Sequence, residues 1–463
     1  MSFDAENEQF VDWLKANGVT LSPKIALHDY RAEGQGRGVI ATEDIGKDEV
    51  LFTIPRSSLL AVDNDETFSQ LVSGENDFGT WLNLMAYMMV VSESSRWKPY
   101  YNMLPKSFNT PMFWSDEQIN MLQGSALKDK IGKEEAEEQY NENIKPFLEA
   151  NREKFGGQSG FENTLDAFHR MGSIIMAYSF DVKEKNAEDD AENSDDEEEE
   201  PYVKAMVPMA DMLNAHTRLC NAHLCHTEDN TVLEMRSIKK IPKGAQVYNT
   251  YGELPNSDLL RRYGYVESGG TEFDVVEIPT NLIAKAVQDL GYGQAEQLLE
   301  ELEQDEDNVF YDDGYDIPVS GEPDLPTLVI LLYLQIAASH SPDILPSKKK
   351  LFRAIAKACE DDKLTHEAKA VWKATLETRL KNYPPQLVEQ AKSDLDPEPK
   401  DDVIVDPQQM CNEVLLGELR ILFRSMKWAD EAPELITTDS LLKSITNKRQ
   451  PENTNASNKK QKK

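Results

Sequence analysis

Cysteine is scarce in this sequence, with four residues among 463. A disulfide-rich secreted scaffold is therefore excluded, and a reducing compartment is favoured. Long apolar runs are lacking too: the longest, 325–338, is interrupted by Gln335 and falls short of the roughly 20 residues that span a bilayer. The opening residues are polar and acidic. We therefore expect no secretory signal and no membrane partner.

Basic residues are outnumbered as well. The chain has 49 Lys and Arg residues against 83 Asp and Glu residues, which gives a formal net charge of −34. A field of this sign repels nucleic acid and attracts basic proteins. We therefore expect a basic protein partner and no direct contact with nucleic acid.

Hydrophobic periodicity divides the chain into β-rich and helical stretches. Short strands separated by turn residues are predicted at 20–60 and 200–265, with helical patterns between them and after Val266. Residues 188–200 are almost entirely acidic, which predicts a disordered loop because like charges repel and apolar residues are missing.

The predicted class is therefore α+β. The predicted segments are 1–62 (an N-terminal helix and a first β-rich part), 63–170 (a helical insert), 171–268 (a second β-rich part with a disordered acidic loop at 184–200), 269–443 (a helical domain) and 444–463 (a basic disordered tail).

A glycine cluster lies near the start of the first β-rich part. Gly34, Gly36 and Gly38 resemble a dinucleotide-binding pattern, but such a pattern should open a helix. Here the glycines lead into 39–41, which reads as a strand. This excludes the dinucleotide interpretation and leaves two others: a turn whose backbone can approach a ligand closely, or a turn of purely structural purpose.

Histidine and cysteine are concentrated in one short stretch. Zinc sites need four ligands in a tetrahedral arrangement, whereas neighbouring residues of a strand point to opposite faces. The spacing also lacks a second, distant ligand pair, so we predict no metal site. The residues concerned are His216, Cys220, His223, Cys225 and His226.

Three separated segments, taken together, resemble one family. In their order and spacing they are similar to a SET-domain lysine methyltransferase. The segments are Gly36-Arg37-Gly38-Val39-Ile40-Ala41, Ala210-Asp211-Met212-Leu213-Asn214, and Asn249-Thr250-Tyr251-Gly252 followed by Leu259-Leu260 and Tyr263-Gly264-Tyr265-Val266.

The insert resembles that of the Rubisco large-subunit methyltransferase subfamily. Within this subfamily, 177–180 and 249–252 are most similar to the branch that contains the SET-domain protein 6 enzyme and the fungal ribosomal lysine methyltransferase 4. The resemblance as a whole covers 20–440. The matching stretches of the insert are Trp97-Lys98-Pro99-Tyr100, Leu104-Pro105 and Pro111-Met112-Phe113-Trp114.

The resemblance implies a fold and a cofactor. The fold is a knotted, β-rich SET domain with a helical insert, followed by an all-helical C-terminal substrate-binding domain. The cofactor is S-adenosyl-L-methionine. By position in the motifs, the cofactor-binding residues are Gln35, Gly36 and Arg37 through their backbone, Asn214, Ala215 through its main chain, Tyr178 and Tyr263.

The resemblance also implies a reaction. Tyr251 matches the catalytic tyrosine of the family, and Trp97, Ser179 and Asp211 are the substrate-side candidates. The chain departs from the family at Ala215, where a histidine is usual, and His216 follows one position later. Three alternatives follow: the main chain of Ala215 is sufficient, the missing ring lowers the affinity for the cofactor, or His216 replaces that ring.

We therefore expect a protein-lysine N-methyltransferase that monomethylates a ribosomal protein and acts as a monomer. The alternatives are a histone or other nuclear protein as substrate, a histidine as the acceptor, and an inactive SET fold that binds basic proteins. Two basic clusters, Lys448-Arg449 and Lys459-Lys460-Gln461-Lys462-Lys463, indicate a bipartite nuclear-import signal or a solvated end. If the clusters are an import signal, the protein is nuclear. We then predict that truncation after Ile445 shifts it to the cytoplasm.

Overall fold

The computed structural model describes residues 2–155, 161–184, 202–305, 308–361, 363–431 and 435–446. Most of the predicted acidic loop, 185–200, and most of the predicted basic tail, 447–463, lie outside the described residues.

Helices account for most of the regular structure. Several begin at a side chain that accepts a hydrogen bond from the first turn, such as Ser2, Thr164 and Asp324. In chain order they are α1 (Phe3–Ala16), α2 (Glu66–Leu71), α3 (Gly79–Val91), α4 (Lys98–Tyr101), α5 (Asp116–Asn120), α6 (Lys133–Gln139), α7 (Lys145–Ala150), α8 (Leu165–Tyr178), α9 (Asn256–Tyr263), α10 (Thr280–Asp289), α11 (Glu296–Glu303), α12 (Leu325–Ser339), α13 (Lys348–Glu360), α14 (His366–Leu380), α15 (Pro385–Ser393), α16 (Pro407–Glu431) and α17 (Thr438–Thr446).

The strands are short. In chain order they are β1 (Thr20–Leu21), β2 (Ile25–Tyr30), β3 (Gly36–Ala41), β4 (Val50–Pro55), β5 (Ser179–Lys183), β6 (Tyr202–Met206), β7 (Ala222–His226), β8 (Val232–Ser237), β9 (Gln246–Val247), β10 (Val266–Glu267), β11 (Val275–Pro279), β12 (Gly314–Pro318), β13 (Leu364–Thr365), β14 (Val403–Ile404) and β15 (Leu435–Ile436).

The chain divides into two units. The first contains residues 1–122, 127–271 and 398–414, and the second contains 123–126, 272–397 and 415–463. The sequence-based boundaries treat 269–443 as one continuous domain. Residues 398–414 nevertheless belong to the first unit, since β14 pairs antiparallel with β10, with Ile404 opposite Val266.

Small antiparallel sheets form the β-rich part of the first unit. The two with more than two strands have the orders β1-β4-β8-β7 and β2-β3-β9. The predicted strands around the glycine cluster are confirmed as β2 and β3, and their register places Tyr30 opposite Gly36. Gly34 therefore lies in the turn of this hairpin, whereas Gly36 and Gly38 belong to β3.

The insert and the sheets share one hydrophobic core. Leu84 and Met88 of α3, Phe168 and Ile175 of α8, and Phe52 of β4 are buried in the same cluster. Burying such side chains stabilises a fold by about 1.5–3 kcal/mol each. Because the insert contributes to the core, it is an integral part of the first unit.

The second unit is mainly helical, as predicted. It is not all-helical, however, because β11 and β12 form an antiparallel pair and β13 and β15 form a parallel pair. Val276 and Ile278 are buried on either side of the half-buried Glu277 and belong to the core of this unit with Tyr315 and Ile317. The sequence analysis missed these strands because a strand of five residues or fewer offers too few repeats to separate its period from that of the adjacent helices. Among the described helices, none combines the length and apolar character required to cross a membrane.

Candidate active site

The hairpin turn between β2 and β3 forms one wall of a cavity. Gly34 and Gly36 have φ values of 76° and 68°, in the left-handed region that favours glycine. A Cβ atom on Gly36 would have no atom within 4 Å, so the backbone here borders open space. Gln35 supports the turn, since its Oε1 accepts hydrogen bonds from Gln246 Nε2 at 2.6 Å and the Tyr248 hydroxyl at 3.1 Å.

Arg37 directs its side chain away from this cavity. Its Nε donates to Asn7 Oδ1 at 2.8 Å, and its guanidinium lies 4.4 Å from the centre of the Phe3 ring. Both partners belong to α1. The side chain therefore attaches the N-terminal helix to β3, and the predicted cofactor contact of Arg37 depends on its backbone alone.

The second wall is the segment that follows the 3-10 turn Ala210–Met212. Asn249 N donates to the Asn214 carbonyl at 2.9 Å, and Ala215 forms a parallel bridge with Asn249. The Asn214 side-chain amide is buried, and its Nδ2 has no hydrogen-bond partner among the described residues. A Cβ on Gly38 would lie 2.7 Å from that Nδ2, so glycine is required for β3 to approach Asn214 this closely.

Stacked tyrosines form the third wall. The rings of Tyr251 and Tyr263 are 4.2 Å apart with an angle of 10° between their planes, and the Tyr251 hydroxyl donates to the Leu213 carbonyl at 3.2 Å. Burial raises the pKa of Tyr251 well above its ordinary value and raises the pKa of Tyr178 and of Tyr263 to about 12. All three hydroxyls are therefore neutral hydrogen-bond donors at physiological pH.

The cavity enclosed by these walls has a volume of about 280 Å³. It brings together most of the predicted site: Gln35, Gly36, Tyr178, Asn214, Ala215, Tyr251 and Tyr263. Residues that the sequence analysis did not select also line it: Gly34, Pro105, Ser107, Phe108, Asn109, Ala177, Gly264, Tyr265, Val403 and Val405. Tyr265 stands within the third family motif and could have been chosen from it.

Trp97, predicted on the substrate side, lies in the hydrophobic core. Its side chain is 3% exposed, and its ring centre is 5.7 Å from that of Trp13 and 6.3 Å from that of Tyr100. Ser179 begins β5, opposite Met206. Neither residue is among those that line the cavity. In this structure Trp97 has a packing role.

Asp211 is buried behind the cavity and organises the second wall. One carboxylate oxygen accepts the Tyr100 hydroxyl in a short hydrogen bond, and Oδ1 accepts the Met209 N–H at 3.1 Å. Met209 has a φ of 88°, which is unfavourable for a residue with a side chain. The carboxylate therefore stabilises a strained turn three residues before Asn214.

We predict that Asp211 makes stability depend on pH. Burial raises the pKa of this carboxyl from 3.8 to about 7, so the folded protein retains a proton that the unfolded chain loses between these pH values. The free energy of unfolding should therefore fall as pH rises from about 4 to about 7, by up to about 4 kcal/mol from this group. Asp211→Asn should flatten that dependence in urea unfolding at pH 5 and pH 8.

Glu418→Gln provides the comparison for this experiment. Burial also raises the pKa of Glu418 to about 7. This substitution should therefore also reduce the dependence of the free energy of unfolding on pH, independently of Asp211. If Asp211→Asn has the pH dependence of the wild type, the carboxyl titrates normally in the folded protein and the assignment is wrong.

His216 does not line the cavity, although it adjoins Ala215. Its Nδ1 lies 3.3 Å from Glu267 Oε2, and the side chains of both residues are 1% exposed or less. His216 therefore faces the protein interior and does not replace the family histidine. Two alternatives remain: the main chain of Ala215 is sufficient, or the missing histidine ring lowers the affinity for the cofactor.

Among the described residues, no group of three or more His, Cys, Asp or Glu side chains is arranged to hold a metal ion. Cys225 and His226 are adjacent on β7, where the side chains of neighbours point to opposite faces. The Cys220 thiol donates to the Ala222 carbonyl, with Sγ 3.5 Å from the oxygen.

The residues of the cavity fit S-adenosylmethionine. The buried Nδ2 of Asn214 is a donor for which the described part of the chain offers no acceptor, and a polar ligand group would satisfy it. The electron-rich faces of tyrosine rings suit a cationic sulfonium. Gly36 leaves room for a ligand beside the backbone. These features match a small molecule that carries polar groups and a positive charge.

Known proteins are similar to this chain over the segments that form the cavity. The SET domain family matches residues 36–252. The chain is 36% identical over 418 residues to ribosomal lysine N-methyltransferase 4 of Saccharomyces cerevisiae, and the alignment covers 82% of this chain and 83% of that protein. It is 35% identical over 270 residues to N-lysine methyltransferase setd6 of Xenopus laevis, which covers 56% of this chain and 57% of that protein.

The fold is also similar to solved structures. The SET domain of LSMT bound to lysine and AdoHcy superposes with a TM-score of 0.64 at 16% identity, over 93% of this chain and 92% of that one. Rubisco LSMT bound to AdoMet gives a TM-score of 0.63 at 17% identity, over 92% of each chain. This likeness confirms the predicted fold class, and the sequence relatives confirm the predicted family. The chain belongs to the SET-domain family of protein-lysine N-methyltransferases, whose cofactor is S-adenosylmethionine.

Proposed function

We propose that this chain transfers one methyl group from S-adenosylmethionine to a lysine side chain of a ribosomal protein. The observation that carries the proposal is the cavity in which the glycine turn at Gly36, the free amide of Asn214 and the stacked pair Tyr251–Tyr263 meet. When bound, the cofactor supplies an electrophilic methyl group on a sulfonium.

The acceptor amine must be deprotonated before it can react, because lysine has an ordinary pKa of about 10.4. A buried, aromatic site disfavours the ammonium form and lowers that pKa. Such surroundings are provided by three half-buried, neutral side chains: Tyr251, Tyr178 and Tyr265. The surroundings therefore favour loss of the ammonium proton to solvent before the amine reacts.

Tyr251 is the residue we assign to orientation of the reacting amine. Its ring is fixed by the Tyr263 stack, and its hydroxyl is fixed by the Leu213 carbonyl. Attack requires the reacting atoms to be held within about 3–3.5 Å. We propose that main-chain carbonyls near Asp211 and Asn249 accept weak C–H···O contacts from the methyl group.

A ribosomal substrate is supported by charge and by similarity. The net charge of −34 favours association with basic proteins. The relative named a ribosomal lysine N-methyltransferase aligns over 82% of this chain, compared with 56% for the setd6 relative. On the same grounds we propose that the enzyme acts as a monomer on its protein substrate without binding nucleic acid.

We expect one ribosomal protein from cells that lack this enzyme to be lighter by about 14 Da, the mass of one added methyl group. Intact-mass analysis of ribosomal proteins from cells with and without the enzyme measures this. Cells that carry the Tyr251→Phe variant provide the control, and they should resemble the deletion.

Other outcomes of that experiment identify the alternatives. If the masses of the ribosomal proteins are unchanged and labelled methyl groups appear on a histone or another nuclear protein, the substrate is that nuclear protein and not a ribosomal one. If fragmentation locates the methyl group on a histidine, the acceptor is histidine and not lysine. Failure of the wild-type protein to bind S-adenosylmethionine in calorimetry would indicate an inactive fold that binds basic proteins.

We also propose that the protein is nuclear. The helix α17 extends to Thr446, so truncation should follow Thr446 and not Ile445, which lies within that helix. Fluorescently tagged protein lacking 447–463 should move to the cytoplasm and retain methyl transfer. Replacement of only the lysines at 459–463 is the matched control and should give a partial shift. Identical distributions of full-length and truncated protein would contradict this prediction.

A further inference from the structure

A buried carboxylate lies behind the second wall of the cavity. Glu267, at the end of β10, is fully buried. Its Oε1 accepts the Thr217 N–H at 2.6 Å and the Thr217 hydroxyl at 2.9 Å, while its Oε2 lies 3.3 Å from His216 Nδ1 and 3.9 Å from the Arg218 guanidinium. Burial of a charge is costly unless it is paired and hydrogen-bonded. Thr217 is therefore held by two hydrogen bonds to this carboxylate and Arg218 by an ion pair, whereas Oε2 has no hydrogen-bond partner among the described residues.

The position of Glu267 is itself fixed. The side chain of Asn256 closes a double hydrogen bond with the Glu267 backbone: Glu267 N donates to Asn256 Oδ1 at 2.8 Å, and Asn256 Nδ2 donates to the Glu267 carbonyl at 2.9 Å. Asn256 is the first residue of α9, the helix that ends at Tyr263. A rigid element that contributes to the tyrosine wall thus also fixes the carboxylate.

The segment that Glu267 anchors leads directly into the cavity. Asn214 and Ala215, which line the cavity, immediately precede residues 216–218. The Ala215 carbonyl accepts the Tyr265 hydroxyl at 3.4 Å, two residues before Glu267. Movement of the carboxylate would therefore move the second wall relative to the first.

Arg218 extends the same network to a further wall. Its guanidinium donates to the Gly270 carbonyl at 3.4 Å, contacts the Lys400 carbonyl, and lies 3.9 Å from Asp401. The chain then continues into Val403 and Val405, which line the cavity. Asn109 Nδ2 donates to the Val405 carbonyl at 2.7 Å, which holds this strand across the opening.

We infer that Glu267 is a positioning residue that sets the affinity for the cofactor. Its hydrogen bonds with Thr217 hold the segment that leads into the Asn214–Ala215 wall, and its ion pair with Arg218 connects it to the Val403–Val405 wall. The inference rests on the proposed function only in that S-adenosylmethionine occupies this cavity. Glu267 does not touch the reacting atoms, so it should affect binding of the cofactor and leave the transfer step unchanged once the cofactor is bound.

Glu267→Gln tests this inference because it keeps the volume of the side chain and removes its charge. Hydrogen bonds to a neutral amide are weaker than those to a carboxylate, and the Arg218 pair is lost. We expect the dissociation constant for S-adenosylmethionine, measured by calorimetry, to rise about tenfold. With a ribosomal-protein fraction as acceptor, the apparent KM for the cofactor should rise by a similar factor while kcat stays within about twofold of the wild type.

The matched control is Glu418→Gln. Glu418 is also a buried glutamate in hydrogen bonds, with Ser125 and the Tyr383 hydroxyl as partners, and it belongs to the second unit. Its substitution should change thermal stability without changing the dissociation constant for the cofactor. A purely structural role for Glu267 would give the same pattern as this control.

Arg218→Gln keeps the inference testable if Glu267→Gln does not fold. The Arg218 side chain is 28% exposed, so its replacement disturbs the core less, and we expect a rise in the dissociation constant of about threefold. Unchanged affinity in folded Glu267→Gln, or in folded Arg218→Gln, would overturn the positioning role. Absence of binding by the wild type would instead overturn the proposed cofactor site, and binding without transfer to the ribosomal fraction would overturn only the proposed substrate.

Discussion

Tyr251→Phe should fold, bind S-adenosylmethionine and transfer methyl groups at least about 100-fold more slowly than the wild type, an effect expected from slight misplacement of reacting groups. The substitution removes one hydroxyl, which donates to the Leu213 carbonyl at 3.2 Å, and it preserves the ring that stacks on Tyr263 at 4.2 Å. Loss of that hydrogen bond should cost about 1 kcal/mol of folding stability. The substitution should therefore raise the activation free energy of methyl transfer by more than it lowers the free energy of unfolding.

The measurement is single-turnover methyl transfer with saturating labelled cofactor, together with calorimetry to show that the cofactor still binds. Tyr101→Phe is the matched control. It also removes a hydroxyl that donates to a backbone carbonyl, that of Met88 at 2.8 Å, but Tyr101 does not line the cavity. Near-normal turnover by Tyr251→Phe would show that orientation depends on another group.

The central strands of the first unit were predictable because local chemistry determines them. Gly34 and Gly36 require positive φ, and the alternating apolar residues of β3 and β8 bury one face of each strand. Family motifs then identified residues of three separate walls, including Tyr251, without any information on distance. Seven of the predicted site residues do line one cavity.

The residues that were not predicted depend on contacts between distant parts of the chain. Val403 and Val405 look like any short apolar run, and only the pairing of β14 with β10 brings them to the cavity. Trp97 reads as a motif residue, but the packing of Trp13 against it makes it a core side chain. His216 shows the same limit, since only the fold reveals that its ring is buried beside the distant Glu267 and does not line the cavity.

Gly36→Val should weaken the binding of S-adenosylmethionine tenfold or more, which corresponds to about 1.4 kcal/mol. Two effects of the substitution have to be separated. The φ of 68° is unfavourable for a branched side chain, and such strain costs about 1–3 kcal/mol of folding stability. In addition, a side chain at this position would enter open space at the wall of the cavity, where no atom lies within 4 Å of a Cβ.

Gly74→Val separates the two effects, because Gly74 has a φ of 64° and also has no atom within 4 Å of a Cβ, but it does not line the cavity. Both variants should lose a similar amount of stability in urea unfolding, since both place valine in left-handed backbone. Only Gly36→Val should lose affinity for the cofactor in calorimetry, because only there does the new side chain occupy the volume that the ligand needs. Equal affinities in the two folded variants would mean that the glycine turn serves the hairpin alone, and that the cofactor is held by Asn214 and the tyrosine wall without contact at Gly36.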